Sequence, residues 1–399
     1  MRSISFGLNV MATAIALLFW SSAARSFDPE DLQQLMLTNQ CRECDLREAD
    51  LTNLDLSNAN LREADLSEAN LENVNLSAAD LSNAILVESN LNGANLREAK
   101  LRSSVLTSAS LRNANLQFAD LREATLETAN LNDADLSGAN LTDVSALSLD
   151  ALNSNWQGVI ADRAVLGSAN LSGADLTDAV FNYSKFGRAD LSGAILKRTQ
   201  FLVAKVRFAD FSYADLSGAV FNGSDLVDAT FDYALATAID LEQVEAMGAS
   251  FQFSYLDGAN FSNSNLSNAN FRDATLSGAT FTSANLQGAN FNVANLLGAG
   301  FSLAYLVDAS LESANLERAR FPSANLSNAN LTSAMLERAY FHRTIAVGAN
   351  FQGADFTDAD LLESNFTDAD LRYANFINTV LEDMTFEGAN LEGTLLSDR

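Results

Sequence analysis

From Leu46 to Leu396 an apolar residue, most often Leu or Phe, falls at every fifth position, and no insertion or deletion breaks the frame. Between Leu46 and Leu141 the position is Leu without exception, as in CDLREADLTNLDLSNANLREADL. With this position called i, the residue at i−2 is usually Ala or another small residue, and that at i−1 is most often Asn or Asp. Two inward residues flanking an outward one is the alternation of extended chain, so the other two residues of each five must turn a corner. A helix is excluded, because five residues advance about 500° at roughly 100° per residue and would scatter the Leu positions around the cylinder. A flat antiparallel sheet would need longer strands and hairpin signals, and neither is present. The pattern predicts a chain that coils, each short side stacked on the one below with backbone hydrogen bonds along the axis.

The A-(N/D)-L-x-x tandem resembles the pentapeptide-repeat family over about nine tenths of the chain. That resemblance implies an all-β fold, a right-handed quadrilateral parallel β-helix with four pentapeptides per coil. An even-sided coil has independent support. From Phe181 to Phe351 position i mostly alternates between Phe and Leu, as in Phe261, Leu266, Phe271, Leu276 and Phe281. Four sides then place Phe on two opposite walls. After Phe351 the phase reverses, through Phe356, Leu361 and Phe366, and the Phe ladders should move to the other two walls. About 18 coils at a strand spacing of roughly 4.8 Å make a rod on the order of 85 Å long.

The repeat is expected over residues 41–396, with an irregular stretch near 145–165. There Ala146, Ala151, Trp156 and Ala161 succeed one another at i, which predicts a distorted coil or a bulging loop. Larger residues at i−2, Val144 and Leu149, offset the small centres beside them, as expected if interior volume is conserved.

Both ends of such a stack need caps. Residues 27–40 are expected to form a capping helix, with Asp28 as N-cap, Pro29 at the first helical position, and Leu32, Leu35 and Met36 on one apolar face. No comparable segment follows Leu396, so that end either frays or meets another molecule, and self-association through it is an expectation. Residues 1–26 read as a secretory signal peptide: Arg2, then the apolar run Leu8 to Trp20, then small residues from Ser21 to Ser26. Cleavage is expected after Ser26 or Ala24. The run is short for a membrane span, so no stable membrane insertion should follow cleavage. The predicted location is outside the cytoplasm: periplasm, thylakoid lumen or extracellular space.

Composition narrows the function further. The formal net charge is −27, and loss of Arg2 and Arg25 takes it to −29, so nucleic acid and anionic membranes should be repelled. Cys41 falls at an i position and Cys44 at i−2, which points both inward beneath the cap. They suit a structural disulfide or reduced core packing better than redox or metal chemistry, because no second Cys pair or His cluster completes a site. Asp50, Asp65, Asp135 and Asp190 at i−1 interchange with Asn60, Asn70, Asn140 and Asn170, which suits a hydrogen-bonded surface ladder rather than a coordination sphere. His342, the single histidine, sits at a corner and reads as a solvated side chain. No nucleophile–base pair, phosphate loop or second domain is visible, so no enzyme, cofactor or metal is expected.

Two surface features depart from the repeat. Residues twenty apart should lie on one wall, which makes Tyr213, Tyr233 and Phe253 an outward aromatic column with Leu235 and Tyr255 beside it. Either it stacks only on itself and stabilises adjacent coils, or it is an exposed contact patch. Lys185, Arg188, Lys205 and Arg207 gather on one wall of two adjacent coils, as scattered solvated charges or as a basic patch for an acidic partner or a second copy. The leading reading is a rigid interaction scaffold for an unidentified protein partner or for itself. Two alternatives stand beside it: a DNA-mimicking protector of DNA gyrase, which the resemblance implies for some members, and calcium or surface-polysaccharide binding.

Overall fold

The computed structural model describes residues 26–396. The signal peptide expected over 1–26 lies almost entirely outside them. From Gln40 onward parallel bridges link each i−1 residue to the one twenty positions later, from Gln40↔Asn60 to Asp370↔Asn390. Twenty residues are four pentapeptides, so the chain winds a four-sided parallel β-helix. Each side is tied to the next coil by a repeated set of backbone bonds: Leu46 N donates to Asp65 O at 2.8 Å, Glu48 N to Ser67 O at 2.9 Å, and Asp65 N to Cys44 O at 2.9 Å. A turn bond, Ala49 N to Leu46 O at 3.1 Å, closes each corner. The second corner residue takes left-handed φ along the whole rod, 61° at Glu43 and 59° at Asn53 for example. That conformation suits Asn, Asp and Gly, and all three recur there.

Positions i and i−2 line the interior and are buried from Leu56 to Phe376. The Phe ladders run as the alternation predicts. Phe211, Phe231, Phe251, Phe271 and Phe291 stack at 4.8, 4.9, 4.8 and 4.7 Å on one wall. Phe261, Phe281, Phe301 and Phe321 stack at 4.9, 5.0 and 4.9 Å on the opposite wall. Edge contacts such as Phe261–Phe271 at 5.4 Å join the two ladders across the core. Where the phase reverses, Phe341, Phe351, Phe356 and Phe366 meet at interplanar angles of 41° to 73°.

The irregular stretch expected near 145–165 is not there. Bridges Ser145↔Val165, Asp150↔Asn170, Asn155↔Asp175 and Ile160↔Val180 carry the coil through without interruption. Val144, Leu149 and Val159 at i−2 and the Trp156 indole supply the volume that Ala146, Ala151 and Ala161 give up, and all are buried. Constant core volume therefore governs the coil more strongly than the identity of any one centre.

Helix α1, Pro29–Thr38, covers the first coil and is shorter than the 27–40 segment. Asp28 caps it by accepting from Glu30 N at 2.8 Å, and Leu32 and Leu35 are buried. Asp31 Oδ2 accepts from Asp45 N at 2.7 Å, a role that the preceding coil's carbonyl performs for Asp65. Its carboxylate thus satisfies a strand edge that would otherwise lack a partner. At the other end, strands β1 (Asn375–Phe376) and β2 (Leu395–Leu396) pair in parallel, and Leu391, Leu395 and Leu396 are exposed.

Candidate functional site

Tyr213, Tyr233 and Phe253 occupy the same corner in three successive coils, with φ of 62°, 60° and 57°. Identical backbone at a fixed rise sends three side chains out in parallel. Their ring centroids lie 5.0 and 4.9 Å apart and their planes differ by 3° and 7°. They nevertheless remain 67%, 45% and 41% exposed. Leu235 and Tyr255, a bridged pair on the adjoining wall, are 42% and 54% exposed. Stacking uses the facing ring surfaces, so the ridge offers ring edges and two tyrosine hydroxyls. The sequence brought these five residues to one ridge by arithmetic alone, and the structure places them there.

The basic quartet lies two sides away, on the opposite wall. Lys185 and Lys205 are a bridged pair, one directly above the other. Arg188 lies 5.6 Å over the ring of Phe208, and Arg207 reaches Asp225 at 3.4 Å. Cys41 and Cys44 are joined as a disulfide, Cα atoms 5.3 Å apart, and both are buried beneath α1.

The outward carboxylates are engaged in the ladder. Asp65 Oδ1 accepts from Ser67 N at 3.0 Å and from Ser67 Oγ at 2.6 Å. Asn75 Nδ2 donates to Asp55 at 2.8 Å and Asn90 Nδ2 to Asn70 at 3.1 Å, each across one coil. Several are held below their ordinary aspartate value: Asp120 and Asp370 by the guanidinium groups of Arg122 and Arg372. Burial works against the charged form of Asp215, yet bonds from Ser217 and Lys197 outweigh it. Among the described residues no three His, Cys, Asp or Glu side chains form a group that could hold a metal ion.

His342 corrects the sequence reading of a solvated histidine. Its side chain is half-buried; one ring nitrogen bonds the Tyr340 hydroxyl, and Nε2 lies 2.9 Å from Asp360 Oδ2. Beside it a groove of about 360 Å³ is lined by Pro322, Ser323, Arg343, Leu362 and Glu363 as well. Both imidazole nitrogens are occupied, which leaves neither for a substrate. The signal for this contact is a spacing of eighteen, the step from a first corner residue to the outward residue of the next coil. Gln117–Asp135 and Asn132–Asp150 repeat it.

Two family models match the chain: "Pentapeptide repeat region" over residues 67–136, and "Pentapeptide repeats (8 copies)" over seven segments between 40 and 398. Among solved structures it is similar to HetL, a pentapeptide repeat protein involved in heterocyst differentiation regulation in the cyanobacterium Nostoc sp. strain PCC 7120. Identity is 31%, with 59% of this chain and 97% of that one covered, at a TM-score of 0.41. The plasmid-mediated fluoroquinolone resistance protein QnrB1 aligns at 24% identity over 52% of this chain and 92% of that one, TM-score 0.21. A pentapeptide repeat protein from the Arabidopsis thaliana thylakoid lumen aligns at 29% identity, 29% and 63% covered, TM-score 0.13. No curated protein matches the sequence.

Proposed function

The chain belongs to the pentapeptide-repeat family, and from that premise we propose that it is an exported, non-enzymatic scaffold whose aromatic ridge docks a protein partner. One observation carries the reading: Tyr213, Tyr233 and Phe253 are stacked into a fixed geometry and yet keep two fifths or more of their surface in water. Interface energy concentrates in a few aromatic anchors, and anchors already held in place lose little side-chain freedom on binding. Leu235 and Tyr255 widen the ridge onto the adjoining wall. The partner that fits presents an apolar surface with hydrogen-bonding groups opposite the tyrosine hydroxyls.

Export is supported by the disulfide between Cys41 and Cys44, since such bonds persist in oxidising compartments. Among the described residues no helix is long and apolar enough to cross a membrane. Cell fractionation with crosslinking in intact cells tests the reading. The expected product begins after Ser26 or Ala24, lies outside the cytosol and is joined to a protein neighbour. A cytosolic protein retaining Met1 contradicts export and revives the gyrase alternative.

A further inference from the structure

The wall opposite the aromatic ridge carries a charge sequence that inverts at its centre. Its outward ladder runs Lys185, Lys205, Asp225, Glu245, each bridged to the next. The corners beside it follow suit, with Arg188 and Arg207 along the first two rungs and Asp228 and Glu242 along the last two. The inversion falls between Lys205 and Asp225, which is also the midpoint of the described ladder from Asp45 to Thr385. The two lysines stack as like charges, an arrangement that destabilises a cross-strand pair. Among the described residues neither forms an ion pair; Arg207, not a lysine, takes Asp225. Yet the chain holds 51 acidic residues against 24 Lys and Arg, so carboxylates to neutralise them are plentiful. No other wall repeats the pattern. The ladders through Asp50 and Asp55 carry no Lys or Arg, and the one through Asp80 carries only Lys100 and Arg320, far apart.

We propose that this wall pairs with the same wall of a second copy, the two rods antiparallel about a two-fold axis lying across them at the level between Lys205 and Asp225. The operation sets Lys205 against the second copy's Asp225 and Lys185 against its Glu245, each contact occurring twice, as in any isologous interface. Because both ladders rise by the same step per coil, the charges stay in register without adjustment. Along the rest of the ladder no like charges face: Ile85 meets Ile345, Asp65 meets Asn365 and Asp45 meets Thr385. At the corners Arg42 and Arg47 meet Glu382 and Glu387. Acid meets acid only at corners toward the ends, Glu43 with Asp383, Glu63 with Glu363 and Glu68 with Asp368. A wall about 10 Å wide and about 85 Å long offers roughly 850 Å² per copy, close to the roughly 800 Å² per partner of a stable interface. The pairing goes beyond the ridge reading and does not rest on it. It leaves both aromatic ridges facing outward on opposite sides, which would make the scaffold bivalent.

Sedimentation equilibrium of the purified protein tests the pairing. Wild type is expected to be a two-chain species that weakens as salt rises, because exposed charge pairs are screened. Lys185→Glu/Lys205→Glu and Asp225→Lys/Glu245→Lys should each weaken dimerisation by at least roughly tenfold, since each makes like charges face across the axis. An equimolar mixture of the two variants should restore the two-chain species, because each then supplies what the other lacks. Circular dichroism establishes that both remain folded. A monomeric wild type, a variant that dimerises as wild type does, or a mixture that stays monomeric overturns the proposal.

Discussion

The indole nitrogen of Trp156 lies 2.6 Å from the hydroxyl of Ser154, so the bulkiest core side chain of the rod is hydrogen-bonded to a small neighbour in its own pentapeptide. Ser154 Oγ in turn donates to the Ala151 carbonyl. The rung is filled and its polar atoms are satisfied, which is why the coil passes through this stretch unbroken. Trp156→Ala should cost about 3–5 kcal/mol by opening a cavity, and Ser154→Ala about 1–3 kcal/mol by stranding a buried N–H. Thermal denaturation checks both. A Trp156→Ala protein as stable as wild type would mean that the indole is not in the core.

Leu276→Asp and Ser283→Asp should separate widely. Leu276 is fully buried and a charge there costs several kcal/mol unless paired, whereas Ser283 is an exposed corner where a further carboxylate costs little. Equal melting temperatures for the two proteins would show that the five-residue frame is misassigned.

Stability should fall in acid, and the sign follows from the engaged carboxylates. Asp120 and Asp370 are held below the ordinary aspartate value of 3.8 by Arg122 and Arg372. A carboxyl depressed in the folded state contributes stability that is present above its unfolded value and lost as pH falls through its folded value. Melting temperature should therefore hold from neutral pH down to about 4–5 and decline below that. Arg372→Gln should flatten part of the decline; an unchanged acid slope in that variant would remove Asp370 from the explanation.

Much of this architecture was legible because a period of five fixes which residues face inward. The Phe ladders, the cap helix with Asp28 and Pro29, and the aromatic ridge follow from counting. What counting by twenty missed are contacts on the diagonal. His342 meets Asp360 because a corner side chain reaches the outward residue of the next coil, a step of eighteen. The stretch 145–165 reads as irregular because Ala146, Ala151, Trp156 and Ala161 follow one another at i; the compensation by Val144 and Leu149 is legible, but the hydrogen-bonded fit of the Trp156 indole that completes the rung is not. The inverted charges around Lys205 and Asp225 emerge only when the basic residues are followed along their own ladder into the acidic rungs Asp225 and Glu245.

The most direct test of the proposed docking ridge is Tyr233→Ser, measured for melting temperature and for crosslinked neighbours in the same cells. Tyr233 is the middle rung, in contact with both Tyr213 and Phe253. Cross-strand aromatic pairs contribute about 0.2–1 kcal/mol each, so the melting temperature should drop only modestly. The folded variant should lose a crosslinked protein that the wild type retains. A crosslink pattern identical to that of wild type would contradict it, leaving the stack as a stabilising ladder alone.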